Sequence, residues 1–277
     1  MALGADIVDS YDIKDKGYNI YTSEGAEKLN KALSDFQEGK VAVLVTSMPF
    51  KCPAAPYESA MLINSLLIKQ GVRPNIDIYT PEAGPMGVAG KELSGMLRGI
   101  VESKGIKFNP ELQVSKVEEN KLIFSNNNSA DYNILAYIPK HQCPQVIKAS
   151  PLVDDSGWIK LDDRNTLKTK FENVYAIGDI VNIPLVQGKP LSRAGVFAHF
   201  QAQTVANNIA VEINEKGTLK EFTGDGMCFM ELGDGKAAFA KGNFYTEPMP
   251  NIKMYMPGYH WHWAKILFEK LFLYKWF

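Results

Sequence analysis

The sequence predicts an α/β protein built on a parallel β-sheet, and three observations support this fold class. Val41–Val45 is an unbroken apolar run rich in β-branched residues, which is typical of a strand buried on both faces. Apolar residues at helical spacing follow at 60–67, and Ile76–Tyr79 and Ile106–Phe108 are predicted as further strands. With a second helix around 91–103, the alternation of strands and helices is half of a doubly wound fold.

Flanking elements complete a three-layer, Rossmann-like domain. Short alternating segments at 112–117 and 122–124 predict a β-meander, and Ile134–Ile138 is the predicted returning strand. One more helix is indicated ahead of the first strand, and Gly39 ends it. Its apolar face consists of Ala26, Leu29, Leu33 and Phe36.

A second unit is predicted around the stretch Val174–Ile177, a short apolar strand. Gly178 allows close approach of the backbone, and Asp179 places a carboxylate at the carboxyl end of the strand. In open α/β folds ligands bind at this edge, where an acid commonly holds a hydroxyl of a sugar or ribityl chain. An ordinary turn at the end of a strand is the alternative interpretation. A long helix is predicted downstream, from Arg193 to Ile213.

The composition is that of an ordinary globular protein and argues against several function classes. Of 277 residues, 45% are hydrophobic and 22% charged, and a formal net charge of −1 gives no reason to expect a nucleic-acid partner. Three cysteines without a Cys-x-x-Cys pair, and four histidines of which only His260 and His262 are close, predict neither a disulfide framework nor a metal site. No apolar run matches a membrane span and no leader is recognised, so we expect a cytoplasmic, reducing compartment.

Cys52 stands where a dinucleotide-binding domain would place its glycine-rich phosphate turn. The loop here is Cys-Pro-Ala-Ala-Pro, and its prolines remove amide donors that a pyrophosphate needs. A thiol at a helix N-terminus with Lys51 beside it is expected to have a lowered pKa and to be nucleophilic, whereas a buried structural cysteine is the alternative. Glu58 falls on the first turn of that helix, where a carboxylate either transfers protons or stabilises the helix dipole.

Cys228 lies on a predicted strand bracketed by glycines, so its backbone can approach a planar ligand closely. The surrounding residues 221–247 predict a glycine-rich, hairpin-like β segment. The third cysteine, Cys143, is followed by a proline and is predicted to be a surface-loop thiol without a function.

Three motifs occur in one order, and together they resemble the sulfide:quinone oxidoreductase and flavocytochrome c sulfide dehydrogenase family, which are flavoproteins with two dinucleotide-binding domains. The motifs are Pro49-x-x-Cys-x-x-Ala-Pro-x-Glu58, Tyr175-Ala-Ile-Gly-Asp179 and the segment around Cys228. Each motif is moderately specific alone, and their shared order is the stronger signal. The resemblance runs from residue 1 to about 245.

The resemblance implies a flavin enzyme that captures sulfur from sulfide. In that family two cysteines flank the flavin ring and pass sulfane sulfur between them, while electrons go through FAD to a quinone or a haem. Carried over, Cys52 and Cys228 would be this redox pair, with sulfide or polysulfide as substrate, quinone as acceptor and Glu58 for proton transfer. Arg193 stands where the family often has lysine, and its fork geometry differs. The residues that would hold FAD are Gly178, Asp179, Arg193, Ala194 and Gly195.

One part of the family pattern is absent, namely the N-terminal strand, Gly-x-Gly-x-x-Gly turn and helix that bind the FAD diphosphate. This absence opposes FAD binding by the chain alone, so we expect a truncated form, a homo-oligomer or a complementing second chain. The expected division is a remnant of a FAD-type domain at 1–39, a NAD-like domain with the meander at 40–145, the returning segment of an incomplete FAD-type domain at 146–220, and a C-terminal α+β segment at 221–277.

Residues 261–277 combine aromatic residues with lysines. As a helix, this segment would carry a wide apolar face and a narrow polar stripe of His262, Lys265 and Glu269. Such a helix can lie in a membrane surface, which would make the protein peripheral on the inner face of the cell membrane. Packing on its own domain or in a dimer is equally consistent with the pattern.

Two other functions stay open. One is a non-catalytic, flavin-free fragment or binding subunit, which the absent phosphate-binding turn would explain. The other is an NADH:quinone reductase of the same architecture, with Glu82 after the second strand as the acid that binds ribose. The proline-rich loop at Cys52 opposes this second alternative.

Overall fold

The structure is a computed structural model that describes residues 1–277, and it confirms the predicted α/β class. The helices are α1 (Ser23–Ser34), α2 (Ala55–Lys69), α3 (Lys91–Ser103), α4 (Gln145–Lys148), α5 (Gly195–Asn214) and α6 (Tyr259–Trp276). The strands are β1 (Asp6–Val8), β2 (Tyr18–Asn19), β3 (Val41–Val45), β4 (Ile76–Tyr79), β5 (Lys107–Asn109), β6 (Val114–Glu118), β7 (Lys121–Phe124), β8 (Ser129–Asp131), β9 (Ile134–Ile138), β10 (Lys140–Gln142), β11 (Ile159–Lys160), β12 (Val181–Asn182), β13 (Asp225–Gly233), β14 (Lys236–Asn243) and β15 (Asn251–Gly258).

A five-stranded parallel sheet in the order β2-β9-β3-β4-β5 forms the centre of the larger unit. Every residue of β3 and β9 is buried, as their apolar, β-branched sequences predict for strands covered on both faces. Alternate residues of β3 pack on opposite faces of the sheet. Val41, Val43 and Val45 pack with the helices, whereas Ala42 and Leu44 pack with the meander β6–β8.

The helix α2 begins directly after the Cys52 loop. Pro56 suits its first turn because the amide that proline lacks would have no helical partner there. Tyr57, Met61 and Leu67 are fully buried on the central sheet. The opposite side of α2 meets β13, where Gly233 lies so close that an added Cβ would clash with Ser65. The helix therefore links the parallel sheet to the C-terminal segment.

The second hydrophobic core lies between residues 143 and 222 and includes Tyr175, Ile177 and Phe197. The stretch 174–177, expected to be a strand, is extended but carries only isolated pairing. Its partners are short: Met1 donates to and accepts from the backbone of Tyr175 and Ile177, and Lys168 bridges Tyr175 on the other side. The bridge between Lys168 and Tyr175 is isolated, so the stretch does not continue into a ladder.

The N-terminal residues are shared between the two cores. Met1 pairs with Tyr175, but β2 joins the central sheet, and Leu29 and Leu33 of α1 pack beneath it. Met230 and Leu232 of β13 belong to the same core as the central sheet. The packing therefore favours a larger central unit than 40–145, and the four-part division stays a prediction.

The C-terminal segment is a three-stranded antiparallel sheet, β13-β14-β15, followed by α6. The sequence indicated the β13–β14 hairpin but not β15, which occupies 251–258. No residue of α6 is fully buried, and Trp263, Leu267 and Leu271 are more than half exposed. Neither α6 nor any other helix has the length and apolar character that a membrane crossing requires.

Candidate functional site

Cys52 and Cys228 line the same cleft, although they are far apart in the sequence. The cleft is open to solvent, and its walls are mostly apolar. Cys52 comes from the loop between β3 and α2, and Cys228 comes from β13. Phe197 and Ala194 of the second core form another wall. The fold thus brings the two cysteines to one place between its two hydrophobic cores.

The backbone of Cys52 is held in a left-handed conformation, with φ of +50°. This region is uncommon for residues other than glycine and persists where neighbouring contacts enforce it. Two hydrogen bonds of 2.9 Å do so here: Cys52 N–H donates to the carbonyl oxygen of Arg193, and Cys52 O accepts from Ala55 N–H. The thiol is therefore fixed at the start of α2.

Burial and charge act against ionisation of Cys52. Although the residue is accessible to solvent, the surrounding protein removes water from its thiol, and this desolvation together with the Glu58 carboxylate raises its pKa. The amides of Ala54 and Ala55 and the ammonium of Lys265 act in the opposite direction. The expected lowering of the Cys52 pKa is therefore wrong for this structure.

Lys51 does not serve the thiol as expected. Its ammonium lies 3.5 Å from the carbonyl oxygen of Ala5 and 6.0 Å from the ring centre of Tyr21. Lys51 Nζ is therefore directed towards the N-terminal segment, although Lys51 adjoins Cys52 in the sequence. The cation that reaches the thiols is Lys265 of α6.

Cys228 is half-buried, and its thiol donates a hydrogen bond of 3.3 Å to the carbonyl oxygen of Phe229. Desolvation, with smaller contributions from Cys52 and Glu58, raises the pKa of Cys228 to about 12. Lys265 again acts in the opposite direction. This thiol is therefore protonated throughout the physiological pH range.

A charge cluster connects the thiols to the C-terminal helix. Glu58 Oε1 accepts from the amide of Glu231 at 3.0 Å and also contacts Lys265 Nζ. Lys265 Nζ lies 3.9 Å from Glu231 Oε1, and His262 Nδ1 lies 3.0 Å from Glu231 Oε2. The side chains of Glu58 and Glu231 are only 17% and 13% exposed, so these interactions are poorly screened by water.

Gly178 and Asp179 form a second part of the site. Gly178 has φ of +75°, and a Cβ there would lie 3.4 Å from the Cβ of Ala198. Its amide donates to Oε1 of Gln201 at 2.7 Å, a buried side chain that the sequence patterns did not single out. The Asp179 carboxylate accepts one hydrogen bond, from the amide of Ala5 at 3.2 Å. A carboxylate can accept about four hydrogen bonds, so Asp179 retains capacity for a ligand hydroxyl.

Arg193 joins this second part to the Cys52 loop. Its side chain is buried, Nε donates to the carbonyl oxygen of Asp179 at 2.8 Å, and the guanidinium stacks 3.8 Å from the ring centre of Trp158. Desolvation lowers the pKa of Arg193 to about 10, which leaves it charged at neutral pH. Ala194 and Gly195 follow at the start of α5, where no side chain caps the helix. The first amides of α5 are thus available to an electron-rich group.

No protein-family model matches the chain. The chain is similar to the mitochondrial sulfide:quinone oxidoreductase of Mus musculus, with 24% identity over 237 residues, covering 83% of this chain and 51% of that protein. It is similar to the mitochondrial sulfide:quinone oxidoreductase of Schizosaccharomyces pombe, with 26% identity over 238 residues, covering 83% of this chain and 50% of that one.

A solved structure shows the same fold. The sulfide:quinone oxidoreductase from the hyperthermophilic bacterium Aquifex aeolicus matches with a TM-score of 0.83 at 20% identity, covering 98% of this chain and 67% of that chain. The chain is a relative of the sulfide:quinone oxidoreductases. It spans about half the length of the curated relatives it matches. The family resemblance seen in the motif order and the Rossmann-like fold are thereby confirmed.

Cys143 takes no part in the cleft of this sulfide:quinone oxidoreductase relative. It is 1% exposed, within the core that contains Ile147 and Trp158, and not on a surface loop as expected. Ile147 of α4 is buried in the same core, whereas Val146 faces solvent, and the adjacent proline did not indicate this burial. No group of three or more His, Cys, Asp or Glu side chains is arranged to hold a metal ion.

Glu82 lines a separate cavity at the carboxyl edge of the central sheet, with about 850 Å³ of empty space that opens towards solvent. Desolvation raises the pKa of Glu82 to about 7. Its Oε2 accepts from the Tyr57 hydroxyl at 2.5 Å and from the Thr80 hydroxyl at 3.3 Å. Lys189 and Arg193 lie on the same cavity wall.

Proposed function

We propose that this chain is a FAD-dependent oxidoreductase of the sulfide:quinone oxidoreductase type, in which Cys52 and Cys228 carry the sulfur. The observation that supports this most is the single cleft that both cysteines line, with Glu58 and Lys265 close to both thiols. Two thiols that converge from separate elements are the arrangement that transfer of a sulfur atom between cysteines needs.

The residues beside the cleft are suited to FAD. Asp179 has unused acceptor capacity for a ribityl hydroxyl, and Gly178 presents backbone without a side chain. The uncapped start of α5, which follows Ala194, offers the amides of Gly195 and Val196 to the electron-rich edge of a flavin. Arg193 holds the Asp179 loop in place through its carbonyl oxygen. Bound there, FAD would accept two electrons from the sulfide reaction and pass them to a quinone.

The sulfur step is carried by the cysteines themselves. With Cys52 and Cys228 joined as a disulfide, a hydrosulfide ion attacks the sulfur of Cys52. The bond between the two cysteines breaks, Cys52 becomes a persulfide, and Cys228 leaves as a thiolate that then takes up a proton, as its raised pKa requires. Glu58, which lies close to both sulfurs, is placed to take the proton of the attacking hydrosulfide.

The alternative as an NADH:quinone reductase has weaker support. Glu82 would have to bind ribose hydroxyls as a carboxylate, but its Oε2 already accepts from Tyr57 and Thr80. With its pKa at about 7, Glu82 is also partly protonated at neutral pH. The cavity beside it is therefore poorly suited to the acid role that this alternative assigns.

We also propose that α6 lies in a membrane surface, where the protein would have access to a quinone. Its exposed apolar side chains include Trp263, Leu267 and Leu271, with Lys270 and Lys275 beside them. Aromatic and aliphatic residues interspersed with lysines favour the boundary between headgroups and acyl chains. This position makes the protein peripheral on the inner face of the cell membrane.

Visible absorption of the purified chain, before and after addition of FAD and then sulfide under anaerobic conditions, tests the proposal. We expect flavin bands that stay with the protein after gel filtration and bleach with sulfide. Cys52→Ala and Cys228→Ala should each retain the flavin and lose the bleaching. Cys143→Ala is the matched control, because this cysteine lies outside the cleft, and it should bleach like the unmodified chain.

Two results would contradict the proposal. A chain that stays colourless in excess FAD would support the flavin-free alternative. A chain that binds FAD but bleaches equally well without Cys52 and Cys228 would show that sulfide reduces the flavin without this cysteine pair. Bleaching by NADH, abolished by Glu82→Ala, would support the NADH:quinone reductase alternative.

A further inference from the structure

Lys265 is the residue through which the C-terminal helix reaches the two thiols. It projects from α6 into the gap between the first turn of α2 and strand β13, where Nζ contacts Glu58 Oε1. Its side chain is 30% exposed, and that of Glu58 is 17% exposed. Every other lysine of α6 is exposed. Lys265 is therefore partly buried against the rest of the protein, whereas Lys270 and Lys275 are exposed.

We infer that Lys265 is a positioning residue for the thiol pair: through its ion pair with Glu58, it offsets the repulsion that the Glu58 carboxylate would exert on negative charge at Cys52 or Cys228. Glu58 is needed near the sulfurs for proton transfer, but an uncompensated carboxylate there opposes the second negative charge of a thiolate. A cation bound to Glu58 removes this conflict without taking the carboxylate away. The inference rests on the proposed sulfur-carrying role of Cys52 and Cys228 for its significance, but not for its test.

The directions of the pKa shifts agree with this role. Glu58 raises the pKa of both thiols and Lys265 lowers both, although desolvation remains the largest cause in each case. Loss of the Lys265 cation would leave the Glu58 carboxylate without its ion-pair partner, so its repulsion of a thiolate would increase.

Other charged groups near the cleft do not replace Lys265. Burial raises the pKa of Tyr21, so this neighbour of Cys52 is neutral, and Lys241 of β14 lines the cleft wall beside Cys228, whereas the ion-pair partner of Glu58 is Lys265. Glu231 Oε1 lies 3.9 Å from Lys265 Nζ, and His262 Nδ1 contacts the Glu231 carboxylate at 3.0 Å. The compensation of Glu58 therefore comes from one side chain on α6.

The test is the pH dependence of Cys52 alkylation by iodoacetamide, with the modified cysteine identified by mass spectrometry. Lys265→Met should move the midpoint of the alkylation profile up by about one pH unit, which is about tenfold slower alkylation below the midpoint. Glu58→Gln should move the midpoint down, and the double variant should return towards the unmodified chain. Lys265→Arg should retain most of the reactivity, and Lys270→Met, an exposed lysine of the same helix, should change nothing.

A purely structural role for Lys265 predicts a different outcome. Loosening of the cleft would make both single variants more reactive, towards an ordinary free thiol, and would not give shifts of opposite sign. An unchanged midpoint in Lys265→Met would overturn the inference, and so would equal shifts in Lys270→Met. Alkylation requires neither FAD nor sulfide. A negative result for Lys265 can therefore be distinguished from a lack of the proposed oxidoreductase activity.

Discussion

The backbone amide of Cys52 donates a hydrogen bond of 2.9 Å to the carbonyl oxygen of Arg193. This bond joins the loop that carries one cysteine to the segment that leads into α5. Arg193 in turn holds the Asp179 loop through its side chain. One residue thus fixes the relative positions of the thiol and of the residues proposed to hold FAD, which belong to different hydrophobic cores.

The left-handed backbone of Cys52 leads to the first prediction. Cys52→Ala and Cys52→Gly both remove the thiol, but only glycine adopts φ of +50° without cost. We expect the glycine variant to be the more stable of the two by about 1 kcal/mol, measured by urea unfolding. Equal stability of the two variants would show that the loop stores no backbone strain.

The second prediction compares the effects of glycine-to-alanine substitutions at Gly178 and Gly99 on stability. Gly178→Ala places a Cβ 3.4 Å from Ala198 in a residue with φ of +75°, and we expect it to destabilise the chain by about 1–2 kcal/mol. Gly99→Ala in α3 meets nothing within 4 Å and has ordinary helical backbone, so it should stabilise by about 0.5–1 kcal/mol. Opposite signs in thermal unfolding are the expected result, and a neutral Gly178→Ala would contradict the strain at the proposed FAD loop.

The central sheet could be predicted from the sequence because its signals are local. The apolar run of β3 fits only a strand covered on both faces, and the structure agrees. The contact of Lys265 with Glu58 could not be predicted in the same way, since helical spacing gives the polar stripe of α6 but not what the stripe faces. The surface-loop prediction for Cys143 was wrong for a related reason: its burial depends on packing with Trp158 and other residues of the second core, which a local pattern does not show.

Glu82 gives a prediction about pH. Its pKa in the folded chain is about 7, above the value of 4.5 for an unperturbed carboxyl, so the folded state binds the proton more tightly than the unfolded state does. Stability therefore falls as pH rises from about 4.5 to 7, by at most about 3 kcal/mol, and is constant above that range as far as Glu82 is concerned. Glu82→Gln keeps an acceptor for Tyr57 but cannot ionise.

The difference in unfolding free energy between Glu82→Gln and the unmodified chain isolates this contribution. We expect the variant to gain relative stability as pH rises through this window, because it escapes the cost of a buried charge. His141 titrates in part of the same range, with its pKa lowered to about 4 by burial, but its contribution cancels in the difference. A pH-independent difference would show that Glu82 is ionised at no cost.

The exposed apolar face of α6 gives the last prediction, which concerns binding to a membrane surface. Leu267 and Leu271 are 58% and 57% exposed, so replacing both with glutamate removes no packed core. The double variant should bind vesicles of mixed neutral and anionic lipid at least about tenfold more weakly in a flotation assay, since apolar burial and attraction to anionic lipid are both reduced. Ile213→Glu, 75% exposed on α5, is the control and should float like the unmodified chain. If the double variant instead floats normally and the unmodified chain alone forms dimers, α6 serves an interface between copies of the chain and not a lipid surface.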